Sequence, residues 1–183
     1  MMKKLLLALG IVSGSAMAAN AQTSALKLNL FSLPVKTASL FYEHAAGETS
    51  SVQLGVSYTG FSISDTKFSG FSITPEYRFF LTGKAMQGFY VGPYLRYQSY
   101  NLTAEYDDFN GGTQKDEATL STFGGGINLG YQWVFKQRIV LEPFLRTGYN
   151  SGSVKVKSGD NNFDTGSFDG FGLLPGLNLG IAF

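Results

Sequence analysis

Seven charged residues lie on one face of a series of segments in which polar and apolar positions alternate. The opposite, apolar face carries no Asp, Glu, Lys or Arg. An unpaired charge inside a protein is very costly, so charges that share a narrow interior are expected to pair. We therefore predict an interior charge network, with a selectivity ring in an open pore as the alternative. Its members are Lys27, Glu43, Glu76, Arg78, Arg96, Glu142 and Arg146. Within this network we expect Glu142 and Arg146 to be coupled.

Three of these arginines follow a proline at the same spacing. The repeats are Pro75 to Arg78, Pro93 to Arg96 and Pro143 to Arg146, and Pro175 opens a fourth segment of the same kind. Because side chains alternate along a strand, a step of three places the arginine on the face opposite the proline. Each proline also removes a backbone donor. Two explanations of how a closed barrel tolerates these prolines are open: each proline lies at a β-bulge, or each lies near the interface where water is within reach.

The chain offers little for catalysis or metal binding. His44 is the only histidine, and alternation places it on the apolar face. Residues 160–164 have the D-x-N-x-D spacing of a calcium loop, but Gly is displaced to Gly166 and the twelfth position is Phe171 instead of Glu. We predict no catalytic, cofactor-binding or metal residue and no enzyme activity. Weak calcium binding at 160–166 is the alternative to a plain polar loop.

Eight segments with a period of two must position these side chains. This period is typical of strands, and the pattern predicts an all-β, eight-stranded antiparallel up-and-down barrel with polar loops at 62–70, 103–115 and 151–169. The predicted strands are Ala25–Ser32, Thr37–His44, Ser51–Phe61, Phe71–Phe79, Gly88–Tyr100, Ala118–Val134, Ile139–Asn150 and Phe171–Phe183.

The first residues have the features of an export signal. A basic Lys3-Lys4 pair precedes the apolar run Leu5–Val12, and small residues with two A-x-A patterns follow. We predict a cleaved signal peptide over 1–21 and a barrel domain over 22–183. A membrane-anchoring helix is the alternative, but the apolar run is too short to span a bilayer. The chain contains no Cys, which excludes a lipid anchor on Cys and disulfides.

The charge balance indicates which face of the barrel meets lipid. Without Lys3 and Lys4 the chain has 12 basic and 13 acidic residues, so no nucleic-acid partner is expected. A soluble, lipocalin-like barrel would expose the polar face, yet that face is poorer in charge than the ~25–35% of a usual surface. The apolar side chains would also overfill an eight-stranded lumen. The sequence therefore predicts a transmembrane barrel with its polar face inside.

Aromatic residues on the apolar face gather towards the two strand ends. Rings at the level of the lipid headgroups are typical of membrane barrels, as are long loops at one end and short turns at the other. The predicted girdle residues are Tyr58, Phe71, Phe79, Phe89, Tyr97, Phe123, Tyr131, Trp133 and Tyr149.

The last segment alternates apolar and small residues and ends on Phe183. It resembles the insertion signal of bacterial outer-membrane β-barrels, which implies recognition by the barrel assembly machinery. The whole pattern resembles the outer-membrane protein A/X type of small barrel. More narrowly, the K-L-N-L strand at Lys27–Leu30 and the inward Glu43 resemble an uncharacterised small-barrel family.

From these features we expect a porin-like barrel in the outer membrane of a bacterial cell envelope, exported through the periplasm, with a plugged polar interior. The expected role is structural or adhesive, with outer-membrane lipids as partners and extracellular contacts through loops 103–115 and 151–169. An outer-leaflet lipid-modifying enzyme, of the palmitoyltransferase or deacylase kind, and a narrow channel for small solutes are the alternatives.

Overall fold

Eight antiparallel strands form a single closed barrel in the computed structural model, which describes residues 23–63, 66–107, 113–158 and 170–183. Each strand pairs with its neighbours in the chain, and β1 also pairs with β8. The predicted fold class is confirmed. The strands are β1 Ser24–Asn29, β2 Thr37–Ala45, β3 Ser50–Ile63, β4 Thr66–Phe80, β5 Gly88–Asp107, β6 Thr113–Phe135, β7 Ile139–Ser158 and β8 Gly170–Ala182.

The predicted signal peptide (1–21) and the calcium-like segment (160–166) lie outside the described residues. Within the described ranges, no helix is long and apolar enough to cross a membrane.

Three predicted loops are shorter in the structure than the sequence pattern indicated. Within the predicted loop 62–70, β3 continues to Ile63 and β4 begins at Thr66. The predicted loop 103–115 is mostly a continuation of β5 and β6, and β7 carries the strand on to Ser158 within the predicted loop 151–169. In the end of β6, for example, the outward Thr119 and Ser121 are polar, whereas the inward Ala118 and Leu120 are apolar and buried. The alternation is inverted there, so the apolar outer face that identified the strands is lost.

The two ends of the barrel differ in their connections. At one end, called the short-turn end, β2–β3, β4–β5 and β6–β7 are joined through 46–49, 81–87 and 136–138. The tightest of these turns places Lys136 and Gln137 at φ 48° and 58°, the left-handed geometry that suits a two-residue hairpin turn. The opposite end is called the long-connection end, because β7 ends there at Ser158 and β8 begins only at Gly170. At this end β1 and β2 are joined through 30–36, which is as long as 81–87.

The prolines interrupt single ladders without shifting the register. Pro75 pairs with Leu54 of β3 but has no partner in β5, and Pro93 pairs with Ile127 of β6 but has none in β4. Pro143 pairs with β8 and leaves the same kind of gap towards β6. The register shift between described strands lies elsewhere, at Glu117 and Ala118 of β6. A strand residue donates towards one neighbour only, so each proline weakens one side of its strand.

Two of these gaps meet in the same seam, between β4 and β5. The seam retains pairs such as Ile73 with Tyr97 and Glu76 with Tyr94, but lacks the pairs that would include the prolines. An apolar groove of about 530 Å³ runs along the outer wall there, lined by both prolines and by residues such as Leu54. The β4–β5 seam therefore lacks the ladder pairs of two prolines.

The aromatic residues predicted as girdles all lie on the exposed face of the barrel. Towards the long-connection end Tyr58 is directly opposite Phe71, and Tyr97 is opposite Phe123. Towards the short-turn end the rings of Tyr131 and Trp133 are 4.6 Å apart. The other predicted members at these two levels, and the terminal Phe183, are exposed as well: Phe79, Phe89 and Tyr149.

Candidate functional site

Arg78 is the centre of a buried set of charges in the half of the lumen nearer the short-turn end. Its Nε donates to Glu76 Oε1 at 2.6 Å and its Nη2 donates to Glu142 Oε1 at 2.9 Å. Its Nη1 lies 3.5 Å from Glu43 Oε1, and its Cζ is 4.3 Å from the centroid of the Tyr90 ring. The whole side chain is shielded from solvent. One planar guanidinium, with its donors in a fixed fork, therefore links three carboxylates from three strands.

Lys27 provides a second cation in the same layer. Its Nζ is 2.6 Å from Glu43 Oε2, forms an ion pair with Glu142 Oε2, and donates to Gln132 Oε1 at 3.1 Å. Glu43 also accepts a bond of 2.5 Å from Ser51 Oγ. All three donors of the ammonium are used, as a buried lysine requires.

Arg146 and Glu76 extend the network towards the long-connection end. Arg146 Nη2 lies 2.8 Å from Glu76 Oε2, and Asn128 Nδ2 donates to Glu76 Oε1 at 2.8 Å. Three cations thus face three carboxylates, so this set is neutral as a whole. We call it the charge layer, and its members are Lys27, Glu43, Glu76, Arg78, Glu142 and Arg146.

The structure places Arg96 outside this layer. Its Nε donates only a long bond of 3.4 Å to Thr74 Oγ1, and no carboxylate in the described parts of the chain is within ion-pair distance of it. Its Cζ lies 5.6 Å from the centroid of the Tyr94 ring. The seven predicted network residues therefore divide into six that contact one another and one that stands apart.

The expected coupling of Glu142 to Arg146 is not the pairing found. Both point inward from β7, but Glu142 contacts Lys27 and Arg78, whereas Arg146 contacts Glu76. Strands in a closed barrel are staggered, so inward neighbours on one strand face different partners across the lumen.

An apolar layer lies in the lumen between the charge layer and the short-turn end. Met86, in the β4–β5 turn, is 3% exposed and packs with Ala25, Val140 and Ala182. Its backbone is held at φ 62°, and its carbonyl accepts a bond of 2.8 Å from Gln132 Nε2. We call these four apolar residues the cap. The turn 81–87 therefore folds into the mouth of the barrel and is bonded to the charge layer above it.

Aromatic rings fill the rest of this half of the lumen, each against a glycine of the next strand. Phe41 faces Gly55, where an added Cβ would lie 2.6 Å from the ring, and Tyr90 faces Gly130 in the same way. Phe144 is in edge contact with Phe41 at 6.5 Å between centroids. Pairing a large with a small inward residue lets an eight-stranded lumen pack to high density.

Several neutral residues of the network were not predicted as members. Tyr90 donates to Glu142 Oε1 at 2.6 Å, and Gln132 and Asn128 connect the charges to one another and to the cap. Their inward parity was visible in the sequence, but a neutral amide carries no signal that distinguishes it from any other lumen residue. Met86 lies in a turn, where alternation gives no information.

Towards the long-connection end the lumen widens into a cavity of about 340 Å³. Ser39, Ser57, Ser72 and Gln98 lie directly opposite one another across β2 to β5 and line one side of it. Arg96 and Arg146 also line it. We call this space the vestibule and define it by these six residues.

The single histidine has one notable contact. His44 is exposed near the short-turn end, where its Nδ1 lies 2.9 Å from Ser24 Oγ. Serine beside histidine is the start of a nucleophile and base pair, which also needs a group that orients the base. No carboxylate among the described residues bonds to this ring, and no cluster of three or more His, Asp or Glu in those ranges is suited to hold a metal ion.

The pairing of Arg146 with Glu76 can be tested by a double-mutant cycle. We expect Glu76→Gln to destabilise the barrel strongly, since it leaves Arg146 without its carboxylate partner in a buried site. Adding Arg146→Gln should recover part of that loss, so the coupling energy should exceed about 1 kcal/mol. Urea unfolding of the four proteins in the same detergent measures it, and strictly additive losses would show that the two residues are not coupled.

The chain is similar to several solved structures. The N-terminal β-barrel domain of Pseudomonas aeruginosa OprF is 12% identical, with a TM-score of 0.40 and coverage of 88% of this chain and 98% of that chain. Acinetobacter baumannii CarO is 10% identical, with a TM-score of 0.43 and coverage of 90% and 97%. Acinetobacter baumannii CarO2 is 13% identical, with a TM-score of 0.40 and coverage of 88% and 96%.

No curated protein sequence matches the chain. A family model matches residues 5–163, which is most of the sequence. The chain therefore belongs to the family described as "Protein of unknown function (DUF3575)".

Proposed function

We propose that this protein is an outer-membrane barrel that does not conduct solutes and that acts as a structural element and contact surface of the bacterial envelope. The observation that supports the proposal is the dense packing of the half of the lumen nearer the short-turn end. The charge layer spans several strands with no member exposed by more than 4%, and the cap packs beneath it. A side chain held by two or three charge-assisted bonds does not move aside cheaply.

The outer wall supports a lipid environment. Its large side chains are 38–76% exposed, and they include aliphatic residues such as Leu54, Val56, Ile127 and Leu129. A contiguous apolar surface of this extent is not stable in water. Phe71 and Phe79 are eight residues apart on β4, or about 26 Å along the strand before its tilt is allowed for, a spacing of the order of the ~25 Å apolar band of such barrels.

The proposal includes partners. Outer-membrane lipids would contact the apolar wall, and the barrel assembly machinery would insert the chain after export through the periplasm. The loops between β5 and β6 and between β7 and β8 would provide extracellular contacts. Membrane barrels have short turns on the periplasmic side and longer loops outside, so the short-turn end is placed in the periplasm.

An epitope insertion tests this placement. We expect a tag between residues 164 and 165, in the β7–β8 connection, to be stained by antibody on intact cells. The same tag between Gln137 and Arg138, in the β6–β7 turn, should be stained only after the outer membrane is permeabilised. Heat-modifiable migration of both tagged proteins on gels controls for folding. Staining of the turn but not of the β7–β8 tag on intact cells would reverse the orientation, and membrane fractionation that finds the folded protein in the soluble fraction would reject the proposal.

Two alternatives have less support. A lipid-modifying enzyme has Ser24 and His44 as its nearest candidate pair, but the pair lies at the short-turn end, away from the outer leaflet, and its histidine bonds to no carboxylate in the described ranges. A narrow channel would have to pass the charge layer and the cap, which leave little room in an eight-stranded barrel.

A further inference from the structure

We propose that the vestibule is a binding site for a small hydroxylated oxyanion, meaning a carboxylate or a phosphate group on a body that carries hydroxyls. The inference rests on the closed lumen of the proposed function, because the vestibule is then a pocket with a floor.

The first support is the charge balance of the lumen. The charge layer is neutral by itself, so Arg96 adds one uncompensated positive charge to the lumen. Arg96 is only partly exposed and has no carboxylate partner among the described residues. A guanidinium always carries its charge, and a poorly solvated charge calls for a counter-ion. An anion in the vestibule would supply it.

A second guanidinium faces the same space. Arg146 is 3% exposed, uses Nη2 for Glu76, and has a buried Nε without a hydrogen-bond partner in the described structure. Its Cζ lies 5.4 Å from the centroid of the Tyr94 ring, which Arg96 also approaches at 5.6 Å. The two cations therefore lie around one aromatic ring at the vestibule floor. Guanidinium groups offer paired donors that match the two oxygens of a carboxylate or phosphate.

The walls indicate the rest of the ligand. Ser39, Ser57 and Ser72 stand in one row across three strands and make no side-chain hydrogen bonds to other described residues. Gln98 donates to Tyr100 Oη at 3.0 Å, which leaves its carbonyl oxygen as an acceptor. Serine hydroxyls both donate and accept, so this row complements a ligand with several hydroxyls. A purely apolar anion would leave these groups unpaired.

The size of the vestibule limits the ligand to a small one. A cavity of about 340 Å³ lies at the lower end of the range of small-molecule sites. It suits a body of roughly six carbons such as a sugar acid or a sugar phosphate. A neutral polyol would fit equally well but would leave the charge of Arg96 unbalanced, so the acid group should dominate the affinity.

Titration calorimetry on the full-length mature protein in detergent tests the inference. The probes are gluconate and glucose 6-phosphate, which carry the two kinds of acid group on similar bodies, with sorbitol as the neutral control. We expect at least one of the anions to bind at least tenfold more tightly than sorbitol. Arg96→Gln should weaken that binding at least tenfold. Arg138→Gln, which removes an exposed arginine at the opposite end of the barrel, should leave it unchanged.

The urea concentration at the unfolding midpoint serves as the control for correct folding. Arg96→Gln should not lower this midpoint, because the substitution removes an unbalanced charge. If that variant fails to fold, Arg96→Lys keeps the charge, loses the paired donors, and should still weaken binding. The inference is overturned if neither anion binds wild type at up to about 10 mM, or if binding is equal in wild type and the Arg96 variant. If the protein does not conduct and neither anion binds, this inference is rejected and the proposed closed lumen stands. If an anion binds and the protein also shows steady conductance, the closed lumen is rejected and the binding site stands.

Discussion

Replacing Arg78 with glutamine is expected to destabilise the barrel by about 3–5 kcal/mol, the usual loss when one member of a buried ion pair is removed. Arg78 contacts Glu76 and Glu142 and approaches Glu43. Without it three carboxylates share two cations, and the ring of Tyr90 loses its cation contact at 4.3 Å. Urea unfolding from detergent or lipid vesicles, followed by tryptophan fluorescence of Trp133, measures the change.

Arg138→Gln is the matched control, because it makes the same substitution on an exposed arginine in the β6–β7 turn. Such surface changes stay within about 0.5 kcal/mol. Arg78→Lys keeps the charge but not the fork of donors, so its loss should lie between the two. Equal stabilities of the Arg78→Gln and Arg138→Gln proteins would show that the charge layer does not hold the barrel together.

The second large effect is expected at Gly126, in the run of three glycines of β6. Gly126 faces Gly148 across the β6–β7 ladder. A Cβ added there would meet the backbone of Thr147, lying 2.8 Å from its carbonyl carbon, and would also clash with Gly148. The backbone cannot rotate away as a flexible side chain would. Gly126→Ala should therefore destabilise the barrel by about 1–3 kcal/mol through overpacking.

Gly172→Ala is the control for this second change. Gly172 pairs with the same Gly148 from the other side, in β8, but an added Cβ there meets no atom within 4 Å. Alanine also restricts the unfolded chain more than glycine does, so this variant should be as stable as wild type or slightly more stable. Equal losses at the two positions, measured by the same unfolding experiment, would mean that the glycines are needed for some other reason than close packing.

Alternation in the sequence was sufficient to predict the barrel, since the period of two fixes which side chains point inward. The inward positions of Lys27, Glu142 and Arg146 followed from parity alone. Their partners did not, because the stagger between strands decides which inward side chains meet across the lumen. This is why the sequence led us to expect Glu142 as the ion-pair partner of Arg146, whereas in the structure the partner is Glu76.

The parts that could not be predicted lie where alternation stops. The turn 81–87 looked like an ordinary connection, yet Met86 enters the barrel mouth. β5, β6 and β7 continue beyond the apolar band, where polar residues such as Asn101 and Thr119 replace the apolar ones on the outer face. The prolines were anomalous for a central strand, and only the pairing scheme reveals that Pro75, Pro93 and Pro143 each interrupt the ladder on one side. The assignment of the vestibule as a binding site depends on which inward charge lacks a partner. Only the folded structure shows this.

Single-channel recording in planar lipid bilayers tests the closed lumen most directly. The folded wild-type protein is added at symmetric salt, with a general porin as the positive control for insertion and with vesicle fusion to establish that the protein has entered the bilayer. We expect no steady conductance steps, because in the proposed closed lumen the charge layer and the cap block the path between the two ends. Regular, long-lived steps from the wild-type protein, at a size that scales with salt concentration, would contradict the closed lumen and support a narrow channel in its place.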